Sequence, residues 1–167
     1  MLRGPLYLPR RYGGLILDTN LLLLFVVGTY DRHFIARYRM TSSFRESDYD
    51  LTRFVAGSFS TFVVTPQVLG ELTNLLRGVT RTRRERLFRT LRNTLMAFEE
   101  VFVTKDELLA SPLLEKLGFT DVSVLEAAAR RDCLVLTEDH ALAGHLRSEG
   151  RDALDLSTLR SLTGRRR

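Results

Sequence analysis

Two short apolar runs, each closing on an acid, constrain this chain more than any other feature. Gly14-Leu15-Ile16-Leu17 leads into Asp18-Thr19-Asn20, and Cys133-Leu134-Val135-Leu136-Thr137 leads into Glu138-Asp139. An apolar run without polar alternation fits a strand covered on both faces, the usual setting of a parallel sheet. Each run is followed by a segment of helical character, beginning at Leu21 and at Ala141. Thr61 to Val64 repeats the arrangement ahead of Thr65-Pro66, where Thr can cap a helix and Pro suits its first position. That helix is expected to reach about Leu76.

The rest of the chain follows the same alternation. Arg81 to Ala97 reads as an arginine-rich helix with Leu87, Leu91 and Leu95 on one stripe, and Val101 to Val103 as a short strand. Helical turns around Leu108 and Leu113 to Leu117 end at Gly118, a candidate left-handed cap. Thr120 to Arg130 is a helix, and Ala153 to Leu156 an edge strand. Strands alternating with helices imply right-handed crossovers and an α/β three-layer sandwich with a mostly parallel central sheet. The length of 167 residues suits one domain. Residues 28–60, irregular, aromatic and basic, are expected to form an insertion containing at least one helix.

A net charge of +5 favours polyanionic partners without specifying one. Cys133 is the only cysteine, so no intramolecular disulfide can form, and a reducing cytoplasm fits. Arg3, Arg10 and Arg11 precede the apolar stretch from Leu15 to Val27, but Asp18 and Asn20 interrupt it. The stretch is also short of the roughly 20 apolar residues that span a bilayer, so no membrane partner is expected.

In open parallel sheets, sites form where strands end and helices begin. Asp18 and Asp139 each follow a strand, Asp121 falls in the first turn of a helix, and Glu71 lies at the border of the stripe made by Leu69, Leu72, Leu75 and Leu76. At 4 Å two such charges repel by about 4 kcal/mol even at an effective dielectric of 20. A cation is the natural remedy. Oxygen-only donors favour Mg²⁺ or Mn²⁺ over Zn²⁺, and such an ion can support hydrolysis of a phosphodiester without a protein nucleophile.

Asp18-Thr19-Asn20 after a first strand, Glu71 in Thr65-Pro66-Gln67-Val68-Leu69-Gly70-Glu71-Leu72, Asp121 in Gly118-Phe119-Thr120-Asp121, and Thr137-Glu138-Asp139 after a late strand together resemble the PIN domain. The resemblance runs from about Gly14 to Leu146. It implies a metal-dependent ribonuclease with Asp18, Glu71, Asp121 and Asp139 as catalytic metal ligands and Thr19, Asn20 and Thr137 orienting them or a bound water. It also implies RNA as substrate and, as in many bacterial members, a toxin with an antitoxin protein and a second copy of the chain as partners. The long interval at 28–60 departs from the compact toxins of this kind.

Arg81, Arg83, Arg84, Arg86 and Arg89, flanked by Arg77 and Arg92, form a one-sided basic stretch in which Glu85 is the only acid. Phosphate contact is the functional reading, with Arg165, Arg166 and Arg167 as further candidates; a solvated helix face or an acidic protein partner is the alternative. Tyr30, Phe34, Tyr38 and Phe44 can stack on bases or pack the insertion. His33, His140 and His145 lack ligand spacing, although His140 adjoins Asp139. Two other functions compete. An aspartyl-nucleophile phosphatase needs a second acid where Asn20 stands, and a noncatalytic RNA-binding or protein-interaction module would not need all four acids.

Overall fold

The computed structural model describes residues 11–164, and the side chains of residues up to 162. Arg3, Arg10 and the arginines at 165–167 lie outside the described residues. Five strands form one sheet: β1 (Gly14–Leu17), β2 (Phe62–Val64), β3 (Phe98–Glu100), β4 (Cys133–Thr137) and β5 (Ala153–Asp155). Their order is β3-β2-β1-β4-β5, and every pairing is parallel. β1 and β4 pair in register from Gly14 opposite Cys133 to Leu17 opposite Leu136.

Side chains alternate between faces along a strand, yet Leu15, Ile16 and Leu17 are all at most 2% exposed. Both faces of β1 are therefore covered. On one face α1 (Thr19–Tyr30) packs with α2 (Glu46–Ala56), α3 (Pro66–Leu75) and α4 (Arg81–Leu95). On the other α6 (Leu114–Arg131) lies across β1, β2 and β4, beside α5 (Lys105–Ala110) and α7 (His140–Ser148). α8 (Leu156–Gly164) follows β5 and returns to α2. No helix among the described residues is long and apolar enough to cross a membrane.

Segment 28–60 is not an appendage. α1 continues through Gly28, whose missing side chain admits the Tyr49 ring: a Cβ there would lie 2.3 Å from Tyr49 Cδ2. Phe34, Ile35, Tyr38, Phe44, Tyr49 and Val55 are buried in the main core, so packing claims most of the aromatics that sequence offered for base stacking. α2 is anchored by Asp48, 1% exposed, whose carboxylate caps its own helix through Arg45 N and receives Nε and Nη2 of Arg160 from α8.

Two local expectations shift. The third strand is Phe98–Glu100 rather than Val101 to Val103, because the Phe98 and Phe62 rings stack at 5.0 Å, while Val101 only adds a last bond to Val64 O. Gly118 separates two helical stretches with φ 76 and ψ 174, an extended left-sided conformation rather than an αL cap. α8 has no counterpart in the sequence reading.

Candidate metal centre

The strand order reverses between β1 and β4, since β2 and β3 extend one way from β1 and β4 and β5 the other. Such a reversal opens a crevice at the C-terminal strand ends. Asp18 stands immediately after β1 and Asp139 two residues after β4, on either side of it. α3, carrying Glu71, starts after β2, and the stretch of α6 that carries Asp121 starts after the break at Gly118.

Asp18 is only 5% exposed. Its Oδ1 accepts from Leu21 N at 2.7 Å, which makes it the N-cap of α1, and its Oδ2 accepts from the Thr137 hydroxyl and from Glu138 N at 3.2 Å. The fully buried Thr137 hydroxyl also accepts from Asp139 N at 2.9 Å, so one side chain ties the two strand tips together. Burial pushes the Asp18 carboxyl up to about 6, aided by the charge of Asp139 and opposed by the hydrogen bonds from Thr137, Leu21 and Glu138.

Asp139 is exposed and caps α7, its Oδ1 accepting from Ala141 N and Leu142 N. Glu71 is exposed as well, and its Oε2 accepts from the Thr19 hydroxyl at 3.2 Å. Asp121 is half-buried, and neither of its carboxylate oxygens is hydrogen bonded among the described residues. Its pKa is raised to about 6 by burial first, then by the charges of Asp139, Asp18 and Glu71. Hydrogen bonds link the segments of Asp18, Glu71 and Asp139, through Thr19 to Glu71 and Thr137 to Asp18, and Asp121 lies within the field of all three acids.

The chemistry of the donors fits a hard divalent cation. All four are carboxylates, and Asp121, the second oxygens of Glu71 and Asp139, and the remaining lone pairs of Asp18 are available to one. Among the described residues no group of three or more His, Cys, Asp or Glu side chains is placed closely enough to hold a metal ion without rearrangement. The acids share a field at longer range, with Glu71 on an exposed and loosely held side chain.

The orienting residues divide. Thr137 and Thr19 each hold an acid, whereas Asn20 is exposed and its amide makes no hydrogen bond among the described residues. Glu138 is half-buried, and burial and the nearby Asp18 raise its pKa against the charge of Arg160. His140 reaches sideways: its Nδ1 pairs with buried Asp155 at the end of β5 while most of the ring is exposed. Burial alone would raise Asp155, but hydrogen bonds from Ser157 and His140 outweigh it and hold the carboxyl below its usual range.

The arginines of α4 divide too. The Arg83 guanidinium lies 4.3 Å over the Phe34 ring, and Arg84 Nη2 donates to the carbonyls of Arg77 and Val79. Phe34 follows the end of α1, so Arg83 sits a 12-residue helix away from Asp18, roughly 18 Å at 1.5 Å per residue. Arg81 pairs loosely with Glu85 at 3.6 Å, while the side chains of Arg86 and Arg89 are exposed and make no hydrogen bond or ion pair among the described residues.

No protein-family model and no curated protein matches the sequence. In structure the chain is similar to PAE2754 from Pyrobaculum aerophilum, a crystal structure matched with a TM-score of 0.54 and 18% identity over 87% of this chain and 91% of that one. At that identity the likeness is one of fold alone.

Proposed function

We propose that this chain is a divalent-metal-dependent ribonuclease with the three-layer PIN fold, its centre formed by Asp18, Glu71, Asp121 and Asp139. The supporting observation is the convergence of four carboxylates, from four separate segments, on the crevice between β1 and β4, where Asp121 is held near 6 by burial and the other three charges. A fold gains nothing from such repulsion, and a cation relieves it. RNA as substrate rests on the motif resemblance, as do an antitoxin protein and a second copy as partners, whereas Mg²⁺ or Mn²⁺ as the ion rests on the oxygen-only donor set.

The residues divide the work. Asp18 and Asp139 are fixed by Thr137 and by their helix starts, so they are preorganised anionic donors. Asp121 and Glu71 are less constrained and can close on an ion. When bound, Mg²⁺ or Mn²⁺ lowers the pKa of a coordinated water and neutralises charge developing on the phosphodiester. Arg86, Arg89 and Arg92, exposed and without a side-chain partner among the described residues, are α4 cations available for phosphate.

The test is cleavage of a labelled single-stranded RNA by the purified chain, with end mapping of the products. Hydrolysis that requires Mn²⁺ or Mg²⁺ and disappears in Asp18→Asn is expected. Cutting that survives EDTA or this substitution overturns the proposal, and RNA that is bound but uncut identifies a noncatalytic module.

A further inference from the structure

Thr65 and Ser123 are each fully buried, and their hydroxyls meet at 2.7 Å between the start of α3 and the start of the second stretch of α6. The proton count orients the bond. Ser123 Oγ donates its one proton to Thr120 O at 2.6 Å, so the Thr65 hydroxyl donates to Ser123 and its oxygen accepts from Val68 N at 3.4 Å. The result is a directional relay from a backbone N–H of α3, through two side chains, to a backbone carbonyl of α6. Its ends lie beside the acids: Val68 is one turn before Glu71, and Thr120 immediately precedes Asp121.

We infer that this pair is the positioning device that sets Glu71 against Asp121 in the metal centre. Rested on the metal reading above, the inference deepens it. Asp18 and Asp139 are already joined by Thr137 across paired strands, whereas Glu71 and Asp121 project from two helices, α3 and α6, that pack on each other. An apolar contact between α3 and α6 would fill the same space but would leave the helices free to slide or rotate. Two buried hydroxyls with every proton assigned fix both separation and rotation, since any slip leaves a buried polar group unmatched.

The experiment measures Mn²⁺ affinity of the full chain by titration calorimetry and by the electron paramagnetic resonance signal of free Mn²⁺. Proteins compared are wild type, Ser123→Ala, Thr65→Val, which keeps the volume, Thr65→Ser, which keeps the hydroxyl, and the double variant Ser123→Ala/Thr65→Val. Folding is checked by cooperative thermal unfolding in EDTA. Outer residues that orient metal ligands typically change affinity by about 10- to 100-fold. Ser123→Ala and Thr65→Val are each expected to weaken Mn²⁺ about tenfold, Thr65→Ser to bind like wild type, and the double variant to be little worse than either single. Folded Ser123→Ala and Thr65→Val proteins that bind Mn²⁺ as tightly as wild type overturn the positioning role while sparing the metal site. A wild type that binds no Mn²⁺ removes the metal reading and this inference with it.

Discussion

Lowering the pH from 7 to 5 in the absence of metal should stabilise this protein, against the usual behaviour of carboxylate-rich domains. The Asp18 carboxyl moves from an ordinary 3.8 to about 6 on folding, chiefly because it is buried. A carboxyl raised in the folded state contributes stability that is fully present below its unfolded pKa and is lost as pH rises through its folded pKa. The whole difference is about 3 kcal/mol, at about 1.4 kcal/mol per pH unit. Linkage places about 1.3 kcal/mol of it between pH 7 and pH 5, equivalent to about 3 to 5 °C in melting temperature for a domain of this size. Asp121, also raised to about 6, acts in the same direction but is partly solvated. Glu107 and Asp155, held below their ordinary values, lose stability mainly below this window. The assay is thermal unfolding in EDTA across the window for wild type and Asp18→Asn. The variant removes one titration and weakens the field at Asp121, so its curve should be flatter by about the same 3 to 5 °C. Parallel curves would refute the assignment of Asp18 as a buried acid ionised at cost.

Saturating Mn²⁺ should reverse the trend: an ion at 100 times its dissociation constant adds about 2.7 kcal/mol, more at pH 7 than at pH 5, and thermal shifts in Asp121→Asn and Asp139→Asn should be smaller than in wild type. Gly28→Ala drives a Cβ against the Tyr49 ring and should cost about 1 to 3 kcal/mol in urea unfolding; unchanged stability would mean that α1 and α2 separate freely. Arg160→Ala leaves Asp48 buried without its bidentate partner and should cost about 3 kcal/mol, measured in the same assay, whereas a loss under about 0.5 kcal/mol would put this pair with ordinary surface bridges.

The central strands were legible because burial on both faces writes an unbroken apolar run, as in Leu15-Ile16-Leu17 and Leu134-Val135-Leu136. β3 was not, because an edge strand carrying Glu99 and Glu100 to solvent has no such signature. Segment 28–60 was legible only as an insertion with at least one helix, because its apolar residues are spread among polar ones and only tertiary packing shows that Phe34, Tyr49 and Val55 enter the core. The acids could be located from strand ends and helix starts. Their differing exposure, and the hydroxyls that hold them, could not, because hydrogen bonds across as many as 119 residues of sequence leave no local pattern. The arginines of α4 were visible as charge, but whether a guanidinium faces solvent or covers Phe34 is decided by a neighbouring helix.

Asp18 and Asp139 each begin a helix by accepting its first backbone N–H groups, and this double duty has an evolutionary consequence. If the proposed activity holds, a lineage that abandoned it would still be under selection for foldability at positions 18 and 139, where Asn, Ser or Thr can take over the cap but Ala or Leu cannot without loss. Positions 71 and 121 start no helix in this way and would drift without that restraint. On that reading, an acid at the first or last of the four positions is a poor marker of activity among relatives, and the pair at 71 and 121 is the more informative signature.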